Sequence, residues 1–241
     1  MVLFIERART GVIGLDELLG GGFPKSVSIF LEGTRGLGKG ILASQFLKEG
    51  LKNGESCAYI CVDDSPPLIR MKMEHFGVDV KQNEEEQLLI FVDCFSRQVG
   101  GTQEEYSLTG SIGFETLAPL LTRVKDKLDE KNTVQRTVID TATSLFAQMD
   151  GQEMMHCLNW LKERFVKAPH HSSLWLGHKT TLKKSIYSIL LDSVGGIIEM
   201  RFKEASQEAE KELRITSMPF TTPTPRWIGY IITDTGILLQ L

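Results

Sequence analysis

The chain has 241 residues, 41% of them hydrophobic and 24% charged, with a formal net charge of −4. That length fits one large domain or a domain with an appendage, and the composition is that of a globular protein rather than a disordered or collagenous one. The acidic balance counts against a general electrostatic nucleic-acid binder, and no apolar run approaches the roughly 18 residues of a membrane-spanning helix.

Residues 1–10 mix Glu6, Arg7 and Arg9 into a short apolar segment with no signal-peptide core, so a cytoplasmic location is expected. Residues 26–32 (SVSIFLE) are rich in β-branched and aromatic side chains and predict a strand. The next eight residues, Gly33, Thr34, Arg35, Gly36, Leu37, Gly38, Lys39 and Gly40, meet the pattern G-x-x-x-x-G-K-[S/T] at Gly33, Gly38 and Lys39 and break it at Gly40. In such a loop the backbone N–H groups wrap phosphates, the lysine neutralises them and the Ser/Thr hydroxyl holds Mg²⁺. The parts that bind phosphate are therefore kept, and one that positions a metal is missing. Residues 41–51 carry apolar side chains at helical spacing, with Gly54 as a stop. Strand, glycine loop and helix are the context a phosphate loop requires, so nucleotide contacts are expected from Gly33 through Ile41.

Residues 57–62 (CAYICV) predict a buried parallel strand. Asp63 and Asp64 end it, and a helix opens at Pro66 and runs to about Phe76. Ligands of open parallel sheets sit at the carboxyl ends of strands, so this pair could orient or deprotonate an attacking water. The competing reading is that Asp64 or Ser65 caps the following helix. Residues 88–95 predict a third buried strand, 99–113 a long polar loop and 114–128 an amphipathic helix. Residues 133–139 predict a strand ending in Asp140, which has the form of a Walker-B carboxylate that holds Mg²⁺ beside the phosphates, usually through water. A helix over 152–166 and a strand over 172–176 follow. Beyond them 196–202, 212–218 and 227–239 are β-rich with no long helix, and the charge run 207–212 predicts a solvated turn. Alternating β and α elements followed by consecutive strands predict an α/β fold, with a mostly parallel sheet extended by antiparallel strands.

The four cysteines, Cys57, Cys61, Cys94 and Cys157, form no C-x-x-C pair and are expected as buried thiols. His170, His171 and His178 have no ligand-like spacing and are expected in loops or on the surface. Trp160, Trp175 and Trp227 have no interleaved basic residues and predict packing rather than base stacking.

Together these residues resemble the KaiC/RadA-like branch of the RecA superfamily of P-loop ATPases. Residues 10–24 (TGVIGLDELLGGGFP) resemble that family's TG-x-x-G-x-DELLGGG-x-P opening. Residues 61–66 stand where the family has a strand, a Glu pair and Ser-Pro, and 138–141 (VIDT) resemble its VID-S. Residues 192–200 and 233–237 resemble its late strand and its closing I-T-D-x-G-I. The resemblance covers nearly the whole chain as one domain, with an opening segment over 1–25, a nucleotide-binding core over 26–180 and a β-rich extension over 181–241. It implies ATP and Mg²⁺ as ligands, a homo-oligomer that is commonly a hexameric ring, and catalysis completed across the subunit interface.

Three departures weaken the enzyme reading. Gly40 replaces the metal-binding hydroxyl residue. Asp63 and Asp64 replace a glutamate pair, and misplacing a carboxylate by about 1 Å can cost roughly 100-fold in rate. The family's trans-acting K-x-R aligns here with Ser217, Met218 and Pro219, with neither basic residue present and Arg226 as a candidate substitute. The expectation is an ATP-binding regulatory or scaffold module with weak or absent hydrolysis, serving a protein partner that the sequence does not name. An active oligomeric ATPase is the alternative. A RadA-like recombination accessory that binds DNA is disfavoured by the net charge and by a 99–113 loop with only Arg97 near it.

Overall fold

Segments with unbroken apolar character need cover on both faces, and the structure supplies it with a central sheet between two helical layers. The computed structural model describes residues 5–96, 104–131, 133–166, 170–204, 209–222 and 225–241. The opening segment holds strand β1 (Arg7–Ala8), helix α1 (Leu15–Leu18) and strand β2 (Phe23–Pro24), with β1 and β2 paired antiparallel. Strand β3 (Ser28–Glu32) leads through the phosphate loop into α2 (Lys39–Lys52). Then come β4 (Ser56–Cys61), α3 (Pro66–His75), α4 (Val80–Glu85), β5 (Leu89–Asp93), β6 (Tyr106–Ser107) and α5 (Phe114–Asp129). The chain continues through β7 (Gln135–Asp140), α6 (Ala142–Phe146) and α7 (Gly151–Leu161), which a π-helical turn over Lys162–Val166 extends. It ends with β8 (His171–Gly177), α8 (Lys184–Ser193), β9 (Gly196–Phe202), β10 (Lys211–Ser217), β11 (Ile228–Thr233) and β12 (Gly236–Leu239).

Among the described residues ten strands form one sheet in the order β12-β11-β10-β9-β3-β8-β7-β4-β5-β6. Pairings from β9 through β6 are parallel, and those from β9 to β12 are antiparallel. The expected α/β architecture and its antiparallel extension are thus both present. Strand β4 shows why its sequence lacks polar alternation. Cys57, Tyr59 and Cys61 enter the core beneath α2 and α3, while Ala58, Ile60 and Val62 enter the core beneath α5 and α7. All four cysteines are buried free thiols, as expected.

Several elements differ from the sequence reading. Helix α8 falls inside the segment expected to be β-rich, and its Tyr187 and Leu190 are buried one helical turn apart. Helix α4 is capped by Asp79, whose carboxylate accepts from the Gln82 amide. Tyr106 and Ser107, expected in a loop, pair with β5, while residues 99–103 and Arg97 lie outside the described residues. Lys211 and Glu212, expected in a solvated turn, begin β10, while Gln207 and Glu208 lie outside the described residues. The indole of Trp227 carries the guanidinium of Arg201 at 3.9 Å and that of Arg214 at 4.5 Å. Basic groups do stack on it, arriving from the neighbouring strands β9 and β10.

Candidate functional site

Register carries the chemistry to one end of the sheet. Glu32 of β3 lies beside Gly177 of β8, Asp140 of β7 beside Cys61 of β4, and Cys61 beside Asp93 of β5. The residues following these strands therefore converge at their carboxyl ends, where open parallel sheets place ligands. A cavity of about 430 Å³ opens there, and its walls include Arg35, Gly38, Lys39, Gly40, Ile41, Asp63, Asp140 and His178.

The loop from Gly33 to Gly40 is shaped by its glycines. Gly38 has φ 88°, and a Cβ there would lie 3.0 Å from Ile232 Cδ1. A Cβ on Gly33 would lie 2.8 Å from the Met200 carbonyl oxygen. Leu37 is fully buried, and its carbonyl accepts the Tyr230 hydroxyl at 2.7 Å, so this loop residue anchors the turn in the core. Gln45 ties α2 to both ends of the chain: its Nε2 donates to the Gly11 and Ile237 carbonyls, and its Oε1 accepts the Ile237 amide at 2.7 Å. Among the described residues no hydrogen bond takes up the amides from Thr34 to Gly40. Unpaired amides ahead of a 14-residue helix are suited to an anion, because they face it and the helix dipole favours negative charge.

Lys39 lies at the base of this cradle and is buried. Its Nζ donates to the Gly33 carbonyl at 2.7 Å and the Thr34 carbonyl at 2.8 Å, and sits 3.4 Å from His178 Nδ1. Burial pushes the ammonium down to about 8, against the attraction of Asp140 and Asp63 and with added repulsion from Arg35. His178 follows Gly177, and its Nδ1 lies 3.0 Å from the Gly33 carbonyl, while its amide donates to Thr143 Oγ1 at 3.1 Å. Burial and Lys39 hold its imidazole below the usual range, so it stays neutral at pH 7.

The three histidines thus separate. His178 lies in the loop after β8, as expected, and there lines the cavity. His171 departs from the expectation: it is fully buried in β8, 3.0 Å from Thr137 Oγ1, and burial pushes it down to about 3. His170 is exposed, with Nδ1 2.9 Å from Glu6 Oε2.

The carboxylates also separate. Asp140 Oδ2 accepts the Tyr59 hydroxyl at 2.6 Å. Burial raises the Asp140 carboxyl above its ordinary range, Tyr59 opposes the rise, and Asp63 and Asp64 add to it. The peptide joining Asp140 to Thr141 is cis. Asp63 Oδ2 accepts two hydroxyls, Thr141 Oγ1 at 2.8 Å and Ser144 Oγ at 3.0 Å, which fix the carboxylate at the cavity wall. Asp64 instead pairs with Lys72 on α3. Neither it nor Ser65 makes a side-chain cap of α3, which starts on Pro66 and Pro67. Thr141 caps α6 by accepting the Ser144 amide at 3.2 Å, so one short helix orients both hydroxyls toward Asp63.

Gly40 offers no hydroxyl, and nothing fills the space its side chain would take: a Cβ there would meet only Asp140 Oδ2, at 3.9 Å. Mg²⁺ commonly keeps several waters and binds through one or two carboxylates plus substrate phosphates. Asp140, with Asp63 beside it, fits that water-rich mode. Arg226 is exposed, and Met218 is buried in the core beneath the opening segment.

A family model for the KaiC ATPase matches residues 8–240. Two full-length relatives are a UPF0273 protein of Pyrococcus furiosus, 28% identical over 98% of this chain and 94% of its own, and a UPF0273 protein of Thermotoga maritima, 29% identical over 98% and 96%. The fold is similar to the crystal structure of a KaiC-like protein from Pyrococcus horikoshii, with a TM-score of 0.76 and 20% identity across 99% of this chain and all of that one. Among the described residues no helix is long and apolar enough to cross a membrane. The glycine loop, the carboxylates aligned at the strand ends and a family match spanning almost every residue agree: this chain belongs to the KaiC ATPase family.

Proposed function

We propose that the chain is an ATP-binding KaiC-like module that acts as a nucleotide-dependent regulatory or scaffold protein, with hydrolysis weak or absent. The observation that carries it is the cradle of unpaired amides from Thr34 to Gly40 over Lys39, next to a Gly40 that supplies no metal-binding hydroxyl. In this reading the amides and Lys39 hold the phosphates from Gly33 through Ile41. Asp140 would hold Mg²⁺ through water, and the ion would supply neutralisation of charge on the phosphates. Asp63 is the acid that faces the reacting end, and Asp64 supports it from the rim with Lys72. The chain works as a homo-oligomer, a ring in the family pattern. The exposed apolar side chains of Phe202, Phe220 and Ile231 at the antiparallel end of the sheet support such contacts.

The test is to purify the protein, identify carried nucleotide by mass spectrometry, and measure ATP binding and steady-state turnover. Tight ATP retention with turnover far below the roughly 10 s⁻¹ typical of enzymes is the expected result. Turnover at ordinary rates would establish the second reading, an active ATPase. The pair of hydroxyls that orients Asp63 is the observation favouring it.

A further inference from the structure

Arg35 is the third residue of the phosphate loop. It is exposed, and among the described residues it makes no hydrogen bond or ion pair. A second cavity of about 330 Å³ adjoins the first, with Ser144, Lys179 and Thr180 in its wall. Arg35, Asp63 and His178 line both cavities, so they mark the junction. The other cations nearby are engaged. Lys39 donates to the loop carbonyls, Lys72 pairs with Asp64, and Lys179 lies 3.2 Å from Glu32 and 3.8 Å from Glu199.

A triphosphate laid along the amides from Ile41 back to Thr34 ends beside Arg35, where Asp63 and His178 also meet. The opposite direction would leave its last phosphate at Ile41, which lines the first cavity but not the second, whereas Thr34 lines the second with all three. A guanidinium presents a planar fork that matches phosphate oxygens in pairs, and its charge is fixed at any working pH. We infer that Arg35 is a ligand of the terminal phosphate of a nucleoside triphosphate, supplied by the same chain as the phosphate loop, and that it sets a preference for triphosphate over diphosphate. This rests on the nucleotide reading above and extends it to selectivity. It also places a cation at the terminal phosphate of a chain whose Ser217, Met218 and Pro219 supply none.

The experiment compares equilibrium binding of a non-hydrolysable ATP analogue and of ADP to the intact protein and to Arg35→Ala, Arg35→Lys and Lys39→Ala. Arg35→Ala should lose roughly 10–100-fold in affinity for the triphosphate, the scale of a charged hydrogen bond, and change little for ADP. Arg35→Lys should recover part of the loss. Equal losses for both nucleotides, or no loss for either, would overturn the assignment while leaving the nucleotide site intact, provided Lys39→Ala weakens both. If Lys39→Ala changes neither affinity, the nucleotide reading fails and the Arg35 assignment falls with it.

Discussion

Gly40 and Asp140 face each other across open space, and a Cβ placed on Gly40 would meet only Asp140 Oδ2, at 3.9 Å. No neighbouring side chain takes the place of a hydroxyl here or walls the space off. Gly40 is the second residue of α2, and its backbone lies outside the left-handed region. Gly40→Ser should fold without strain and gain up to about 0.5 kcal/mol, since glycine in a helix costs about 0.5–1 kcal/mol relative to alanine. Its hydroxyl would stand between the phosphates and Asp140. ATP affinity should then depend on Mg²⁺ about tenfold more strongly than in the natural protein, the effect of one good hydrogen bond. Titrations with and without Mg²⁺, together with a thermal melt, check both halves. An unchanged Mg²⁺ response would show that the metal does not sit at this gap.

Lys39 predicts a pH signature. Its ammonium titrates at about 8 in the free protein because it is buried. A bound polyphosphate favours the charged form, so binding above that pH must take up a proton. ATP affinity should be flat below pH 8 and fall by about tenfold per unit above it. The apo fold moves the other way at this site. Between pH 8 and about 10.4 the unfolded chain binds more protons here than the folded one, so the contribution of Lys39 to stability rises with pH. Calorimetry in buffers of different ionisation enthalpy reads the proton uptake directly. A pH-independent affinity up to pH 10 would refute it.

Asp63 and Asp64 are adjacent in sequence but differently employed. Asp63 is gripped by Thr141 and Ser144 at the cavity wall, whereas Asp64 pairs with Lys72. Asp63→Asn should reduce whatever single-turnover hydrolysis the protein shows by roughly 100-fold or more, the loss expected for a positioned acid or base. Asp64→Asn should stay within a few-fold, as for an exposed ion pair. Equal losses would mean that the two acids act as a unit.

The contrast between Asp140 and His178 shows which parts of the site are legible in the sequence. The loop from Gly33 to Gly40 and the acid at the end of β7 are local patterns, read from residues close together in the chain. His178 has no such pattern. It reaches the Gly33 carbonyl because β3 pairs in parallel with β8, setting Glu32 beside Gly177 across some 145 residues. The two guanidiniums on Trp227 escape for the same reason, because they come from strands whose pairing the sequence does not announce. Helices α4 and α6 are short, and their caps at Asp79 and Thr141 are the only local signals of them among the described residues. Helix α8 carries an apolar spacing, Tyr187 to Leu190, but its Ile186 and Ile189 suit a strand as well.

The glycine triplet of the opening segment contains one position where a side chain cannot fit and one where it can. Gly22 has φ 122°, and a Cβ on it would lie 2.2 Å from the Ala8 carbonyl oxygen and 2.8 Å from Arg9 Cα. Gly20 has φ 68° and nothing within 4 Å. Gly22→Ala must therefore push β1 and β2 apart, whereas Gly20→Ala bears only the left-handed backbone cost of about 1–2 kcal/mol. The displacement would not stop at the strand pair. The Arg9 carbonyl accepts Arg136 Nη1 at 2.6 Å, and Arg136 is buried, so moving Arg9 leaves a buried guanidinium short of an acceptor. Gly22→Ala should cost more than about 3 kcal/mol, in the range reserved for overpacking combined with a broken buried network. Denaturant midpoints of the two variants decide it: comparable losses would mean that the opening segment yields without disturbing Arg136.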